Sequence, residues 1–267
     1  MNLRWLVLPL ALPILLAAAP VRADRQETGF LDRALQMNGH TYRYSVYVPR
    51  DFSRDRKWPV LLFLHGSGER GHEGLRPESI GLGPAIRWYP PRFPGLAVFP
   101  QCPDDSSWIG EPADAALAAL DSTAAEFGGD PEREYLTGLS MGGYGTWYLA
   151  YYHPHRFAAI VPVCSGITTL PNDPDHDVFQ LPATVGAADP YAVAAAGVSR
   201  IPCWIFHGAK DDAVPVAEAR RMHAALQQLG SEVRYTEFPD LGHGCWDQAY
   251  GGDDLWQWLL SKRLGAR

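Results

Sequence analysis

Seven short apolar runs, each about the length of a β-strand, recur along most of the chain. The first alternates apolar and polar positions with a period of two, whereas most of the others are continuously apolar, as in strands that are covered on both faces. The runs occupy residues 42–49, 59–66, 95–101, 133–140, 157–166, 202–208 and 232–239. The pattern therefore predicts a central β-sheet with buried strands.

Three stretches between these runs have helical spacing of their apolar residues. They are residues 112–128, 141–153 and 216–230, and the last ends on Gly230, which suits a helix C-terminus. Strands that alternate with helices predict an α/β fold with a mostly parallel sheet and helices on both faces. In such sheets the reactive groups lie at the carboxyl ends of the strands.

Residues 167–200 interrupt this alternation. The segment is rich in Pro, Asp and Gly, and a connection of this length is usually functional or disordered. Its acidic part, residues 173–177, does not have the spacing of a calcium loop, because Val178 and Thr184 stand where Gly and Glu are required. We expect no metal site there.

The first 23 residues have the pattern of a secretory signal peptide. A basic residue, Arg4, precedes an apolar stretch over residues 5–19, and small residues stand three and one positions before a predicted cut at Asp24. The alternative is a retained transmembrane anchor, which the short apolar stretch disfavours. We predict one exported domain over residues 24–267, periplasmic or secreted, without stable membrane association after cleavage.

The charge of the chain argues against nucleic acid as a partner. The formal net charge is −7, and it becomes −9 (21 basic and 30 acidic residues) when the leader with Arg4 and Arg22 is removed. A surface this acidic repels polyanions. The sequence leaves the oligomeric state open.

The four cysteines fit no metal-binding spacing. Cys203 lies inside a predicted buried strand, so we expect a free thiol there. In an oxidising compartment a disulfide could form among Cys102, Cys164 and Cys245, and the sequence does not choose between the pairings.

Ser140 lies in the sequence GLSMG, residues 138–142, between a predicted strand and a predicted helix. Glycines two positions before and after the serine permit a tight turn that exposes its hydroxyl at the top of the sheet. Such a serine is a candidate nucleophile.

A nucleophilic serine needs a base and an acid that orients it, and in this fold they follow in the order serine, acid, histidine. Asp211 and Asp212 follow a buried strand, and His243 lies between two glycines after the last strand. We predict a triad of Ser140, Asp211 and His243. Asp212 is assigned to the N–H groups of the turn and of the following helix.

The glycine-rich loop at residues 64–71 follows a buried strand and offers backbone N–H groups for a negatively charged oxygen. We expect the N–H groups of Ser67 and Met141 to form an oxyanion hole, and His65 to pack within the loop. Trp108 and Trp246 are candidates for an apolar wall that contacts the substrate.

The chain resembles α/β-hydrolases of the group of small exported esterases and predicted peptidases related to feruloyl esterases, polyhydroxybutyrate depolymerases and the carboxylesterase/phospholipase family. The resemblance spans roughly residues 40 to 260 and is carried by FLHGSGERG, PQCPDDSSW, YLTGLSMGGYGTW, FHGAKDDAVPV and GHGCW. It implies the same triad and an oxyanion hole in the Gly66–Ser67 loop. Residues 167–200 depart from the family pattern, since such proteins often run more directly into the next strand. Because the segment links the strand after the nucleophile helix to the strand before the acid, where lids are inserted in this fold, we predict that it lies over the mouth of the site as a lid.

These observations favour a serine hydrolase that cleaves small carboxylic esters through an acyl-enzyme and needs no metal or organic cofactor. A serine peptidase acting on short peptides is the alternative, because it would use the same triad. Peptidases of this scaffold usually carry a large additional domain. We expect none in this chain, and therefore expect the esterase. A binding protein without activity is disfavoured, since all three triad residues are present.

Overall fold

The computed structural model describes residues 27–168 and 179–265, in which eight strands form one sheet. The predicted leader lies outside the described residues. The strands are β1 (Gly29–Met37), β2 (His40–Val48), β3 (Trp58–Leu64), β4 (Leu96–Pro100), β5 (Gly129–Leu139), β6 (Ala159–Val163), β7 (Cys203–Gly208) and β8 (Val233–Phe238). Their order in the sheet is β1-β2-β4-β3-β5-β6-β7-β8. Strand β2 pairs antiparallel with β1 and β4, and the other neighbours pair in parallel.

Within the part of the chain that the structure describes, seven α-helices cover the two faces of this sheet. They are α1 (Leu82–Trp88), α2 (Glu111–Phe127), α3 (Met141–Tyr152), α4 (Pro190–Val198), α5 (Ala217–Gln228), α6 (Trp246–Gly251) and α7 (Asp253–Leu260). One apolar cluster joins the sheet to α2 through α5, and a second joins its other face to α1, α6 and α7. The two-layered core confirms the predicted α/β fold.

Strand β3 shows why the apolar runs are continuous. Its side chains alternate between the two clusters: Val60 and Leu62 belong to the first, and Leu61 and Phe63 to the second. Because both faces of the strand are buried, apolar residues occupy every position along it.

The segment after β6 differs from the predicted lid. Its described part contains α4, and the side chains of Tyr191, Ala194, Ala195 and Val198 are buried in the core. This helix is the crossover between parallel strands β6 and β7, so the lid prediction is corrected for α4. Residues 169–178 lie outside the described residues.

All four cysteines are buried and carry free thiols, so no disulfide joins Cys102, Cys164 and Cys245. Over residues 27–168 and 179–265, no helix has the length and apolar character that crossing a membrane requires. Within the same ranges, no cluster of three or more His, Cys, Asp or Glu side chains could hold a metal ion.

Candidate active site

Ser140 occupies a sharp turn between β5 and α3. Its backbone has φ 52° and ψ −122°, a region that residues with a Cβ rarely adopt. The turn is held on both sides: the Ser140 N–H donates to the carbonyl of Val163 at 3.0 Å, and the Ser140 carbonyl accepts from the N–H of Gly143 at 2.8 Å. Surrounding hydrogen bonds therefore maintain an unfavourable backbone conformation at this serine.

The flanking glycines are required by close backbone contacts. A Cβ added at Gly138 would lie 2.2 Å from the carbonyl oxygen of Gly142, and one added at Gly142 would lie 1.9 Å from the carbonyl oxygen of Leu64. No side chain fits at either position without a backbone shift. The spacing seen in the sequence thus has a steric cause.

The structure brings the side chains of Ser140, His243 and Asp211 into one hydrogen-bonded chain. His243 Nε2 lies 2.8 Å from Ser140 Oγ, and His243 Nδ1 lies 2.9 Å from Asp211 Oδ2. The Asp211 side chain is fully buried, whereas the His243 side chain is 23% exposed. An imidazole so placed can accept a proton from the hydroxyl while the carboxylate fixes its tautomer.

Asp211, and not Asp212, is the acid beside His243. Asp211 Oδ1 accepts hydrogen bonds from the N–H groups of Ala213 at 2.9 Å and Val214 at 2.8 Å. These are the turn N–H groups that the sequence assigned to Asp212, which is exposed, so that assignment is wrong. One carboxylate serves both purposes, because each of its oxygens faces a different set of donors.

The pKa of Asp211 lies well below its usual range. Burial raises this pKa, but hydrogen bonds from His207, from His243 and from the Val214 N–H lower it by more. The carboxylate is therefore ionised at neutral pH and can stabilise a positive charge on His243.

Close packing of two loops brings the acid and the histidine together. A Cβ at Gly208, the last residue of β7, would lie 2.1 Å from the carbonyl oxygen of Gly242. In the same region the Lys210 N–H donates to the Leu241 carbonyl at 2.9 Å. The loop after β7 and the loop after β8 thus meet at the carboxyl edge of the sheet.

The predicted oxyanion residues flank Ser140. Met141 is the first residue of α3, so its N–H has no partner within the helix. Ser67 begins a short 3₁₀ helix directly after Gly66, and a Cβ built on Gly66 would lie 3.6 Å from Ser140 Cβ. The glycine-rich loop therefore runs past the nucleophile candidate.

His65 fixes this loop from inside the core. Its Nε2 accepts from the Cys102 N–H at 3.0 Å, so its Nδ1 carries the proton and donates to the carbonyl of Gly66. Burial lowers the pKa of His65 to about 4, so this imidazole is neutral at pH 7. It packs in the loop and does not reach the hydroxyl of Ser140.

The two tryptophans differ in their placement. Trp108 is 1% exposed, and its indole N–H donates to the carbonyl of His65 at 2.9 Å. It is thus a core residue beneath the loop, and its predicted place on a substrate wall is corrected. Trp246 is only partly buried and packs edge-on against the His243 ring at 5.8 Å, so it does lie at the site.

His207 is a site residue that the sequence reasoning missed. It precedes Asp211 by four residues, and its Nε2 lies 3.1 Å from Asp211 Oδ2, with both side chains fully buried. In the sequence, the feature that could have pointed to it is a histidine inside the otherwise apolar run CWIFHG. It stands directly before Gly208, which closely approaches another loop in the structure.

A comparison with known proteins assigns the chain to a family. Residues 106–262, more than half of the chain, match the prolyl oligopeptidase family. A thermostable esterase of known structure is 30% identical, with a TM-score of 0.73 over 88% of this chain and 63% of that one. A ferulic acid esterase, at 18% identity and a TM-score of 0.65, shares the fold.

Two relatives are similar in sequence. An uncharacterized secreted protein of Arthroderma benhamiae is 30% identical over 71% of this chain but 22% of its own length. A poly(3-hydroxyoctanoate) depolymerase of Pseudomonas fluorescens is 28% identical over 80% of this chain and 70% of its own length. The chain spans less than two thirds of the secreted protein and of the thermostable esterase. With its eight-stranded, mostly parallel sheet, the chain has the α/β-hydrolase fold, and it belongs to the prolyl oligopeptidase family.

Proposed function

We propose that the protein is an exported serine hydrolase that cleaves carboxylic esters through a triad of Ser140, His243 and Asp211. The observation that carries the proposal is the hydrogen-bonded chain between these residues, with 2.8 Å from Ser140 Oγ to His243 Nε2 and 2.9 Å from His243 Nδ1 to Asp211 Oδ2. Ser140 is also held in the strained conformation that exposes its hydroxyl.

The reaction follows from this arrangement in two steps. His243 Nε2 takes the proton of Ser140 as Oγ attacks the ester carbonyl, and the N–H groups of Ser67 and Met141 stabilise the oxyanion. His243 passes the proton to the oxygen of the alcohol, and the alcohol departs. The acyl group remains bound to Ser140 Oγ. His243 then deprotonates a water molecule, which attacks the acyl carbonyl. The bond between the acyl group and Ser140 Oγ breaks, Oγ takes back the proton from His243, and the acid is released.

The relatives support an ester substrate. The esterase at 30% identity and the poly(3-hydroxyoctanoate) depolymerase both align over at least 80% of this chain. The alternative is a serine peptidase acting on short peptides, and membership in the prolyl oligopeptidase family favours it. Trp246 beside His243 is the candidate for contact with the acyl or alcohol group.

A panel of aryl, short-chain, feruloyl and acetyl-sugar esters, assayed beside peptide anilides, separates the two. We expect kcat/KM for the best ester to exceed that for the best anilide by far more than the intrinsic difference in reactivity. Ser140→Ala is the control for contaminating activity. Turnover of a peptide anilide that equals or exceeds ester turnover would favour the peptidase.

Export is a separate part of the proposal. It is supported by the pattern of residues 1–23 and by the similarity to a secreted protein. N-terminal sequencing of protein from a secreting host should start at or near Asp24, and an intact Met1 in the membrane fraction would contradict export.

A further inference from the structure

The carboxylate of Asp211 lies between two imidazoles. Its Oδ2 is 2.9 Å from His243 Nδ1 and 3.1 Å from Nε2 of His207, the penultimate residue of β7. The side chains of both Asp211 and His207 are fully buried. The triad proposed above uses only one of these two histidines.

The surroundings of His207 determine which nitrogen carries the proton. Besides Asp211 Oδ2, Nε2 lies 3.0 Å from the carbonyl oxygen of Val214. Both neighbours are hydrogen-bond acceptors, so Nε2 must be protonated and donate. The other ring nitrogen, Nδ1, is buried and has no hydrogen-bond partner among the described residues.

This unpaired nitrogen indicates what the ring contributes. A buried polar atom without a partner costs free energy, which a purely apolar side chain would avoid. Among the described residues, the hydrogen bonds of the His207 side chain go only to the Asp211–Val214 turn. The hydrogen bonds to that turn therefore provide the stabilisation that offsets the unpaired Nδ1.

The turn needs a donor at this point to fix the carboxylate. The N–H groups of Ala213 and Val214 hold Oδ1, but a carboxylate held at one oxygen can still rotate about it. A second fixed donor at Oδ2 removes that freedom. His243 alone cannot do so, because it lies on a more exposed loop and changes its own charge during the proposed reaction.

We propose that His207 is a positioning residue, whose Nε2–H holds Oδ2 of Asp211 in the orientation that accepts the Nδ1–H of His243. The inference rests on the proposed function. It is consistent with the low pKa of Asp211, which burial raises and which the hydrogen bond from His207 lowers. His207 touches neither Ser140 nor a substrate, and acts through the acid.

The test compares donor-free and donor-bearing replacements. His207→Phe and His207→Leu remove the donor, and we expect kcat on an aryl ester to fall roughly 10- to 100-fold with KM changed by less than about 3-fold. His207→Gln restores an N–H near Nε2 and should return kcat to within about 5-fold of wild type. Ile205→Ala, a buried position on the same face of β7, is the control that loses packing but should keep kcat.

A double-mutant cycle with Asp211→Asn separates positioning from general destabilisation. If His207 acts through Asp211, adding His207→Phe or His207→Leu to Asp211→Asn should cause little further loss of kcat. A full, additive loss on that background would overturn the proposal, and so would wild-type kcat in a folded donor-free variant.

Other results would overturn the proposed function itself. These are full ester turnover in Asp211→Asn, or no ester turnover in the wild type. A slow Asp211→Asn together with a fast, folded His207→Leu would overturn the role of His207 alone. Melting temperatures of all variants identify those that are folded.

Discussion

Asp211 and Asp212 are adjacent acidic residues with different surroundings. The side chain of Asp211 is fully buried and accepts hydrogen bonds from two backbone N–H groups and two imidazoles, whereas Asp212 is exposed. Asp211→Asn should lower kcat/KM on an aryl ester by up to roughly 10⁴-fold, because an amide favours the wrong tautomer of His243. Asp212→Asn should leave activity unchanged and alter the free energy of unfolding by less than about 0.5 kcal/mol. An inactive Asp212→Asn beside an active Asp211→Asn would contradict the assignment.

Sequence alone predicts the role of a residue when its neighbours along the chain determine its surroundings. Ser140 and His243 stand between glycines, and their order along the chain matches a known arrangement. Trp108 could not be placed in this way, because its partner, the His65 carbonyl, comes from a loop distant in sequence. His207 could not be placed either, because its partners Asp211 and Val214 are near in sequence but reach its ring only through the turn that follows β7. A tryptophan in a polar stretch indicates neither a core nor a wall until its partner His65 is known.

The sharp turn between β5 and α3 requires glycine for steric reasons. Gly142→Ala would put a Cβ 1.9 Å from the carbonyl oxygen of Leu64, so we expect it to lower the free energy of unfolding by more than about 3 kcal/mol. Gly251→Ala is the matched control, since its added Cβ meets nothing within 4 Å and its φ is not in the left-handed region. Urea unfolding of both variants tests this. Equal stabilities would contradict the close packing described here.

Helix α4 is packed into the core, as expected of a crossover helix and not of a lid. Ala195 is fully buried in the core, and its neighbour Ala196 is exposed. Ala195→Asp should lower the free energy of unfolding by several kcal/mol, on the order of 3 to 5, because it buries an unpaired charge. Ala196→Asp should cost less than about 1 kcal/mol. If instead Ala195→Asp changed the ranking of ester substrates without loss of stability, α4 would be a lid.

The elements that the sequence predicts are those with an apolar pattern strong enough to recognise alone. Seven of the eight strands and helices α2, α3 and α5 lie where the pattern indicates, within a few residues. Strand β1 was missed because it pairs at the edge of the sheet, with every residue at least partly exposed. Helices α1, α6 and α7 have only six to eight residues each, too few to establish a helical period.

For the whole molecule, His65 predicts a dependence of stability on pH. Burial lowers its pKa in the folded protein to about 4, against 6.5 for an ordinary histidine. Between these values the unfolded state binds more protons, so the stabilisation is complete above pH 6.5 and is lost as the pH falls towards 4. The loss amounts to about 3 kcal/mol when complete, and to roughly 2 kcal/mol at pH 5.

Urea unfolding at pH 7 and pH 5 measures this effect. His65→Gln cannot titrate, so we expect the difference between the two pH values to be smaller in the variant than in the wild type by roughly 2 kcal/mol. Other groups contribute equally to both proteins and cancel in the comparison. The same loss of stability in both would show that His65 does not carry the pH dependence.

The role of Ser140 as the nucleophile can be tested by labelling the protein with a fluorophosphonate, which reacts with an activated serine, and by locating the adduct with peptide mass spectrometry. We expect one adduct per molecule, on Ser140, and loss of ester turnover in parallel with labelling. Ser140→Ala should bind no label, keep the wild-type melting temperature within a few degrees, and turn over esters roughly 10⁴-fold more slowly or worse. Ester turnover at the wild-type rate in Ser140→Ala, or inactivation by a label on another residue, would show that Ser140 is not the nucleophile.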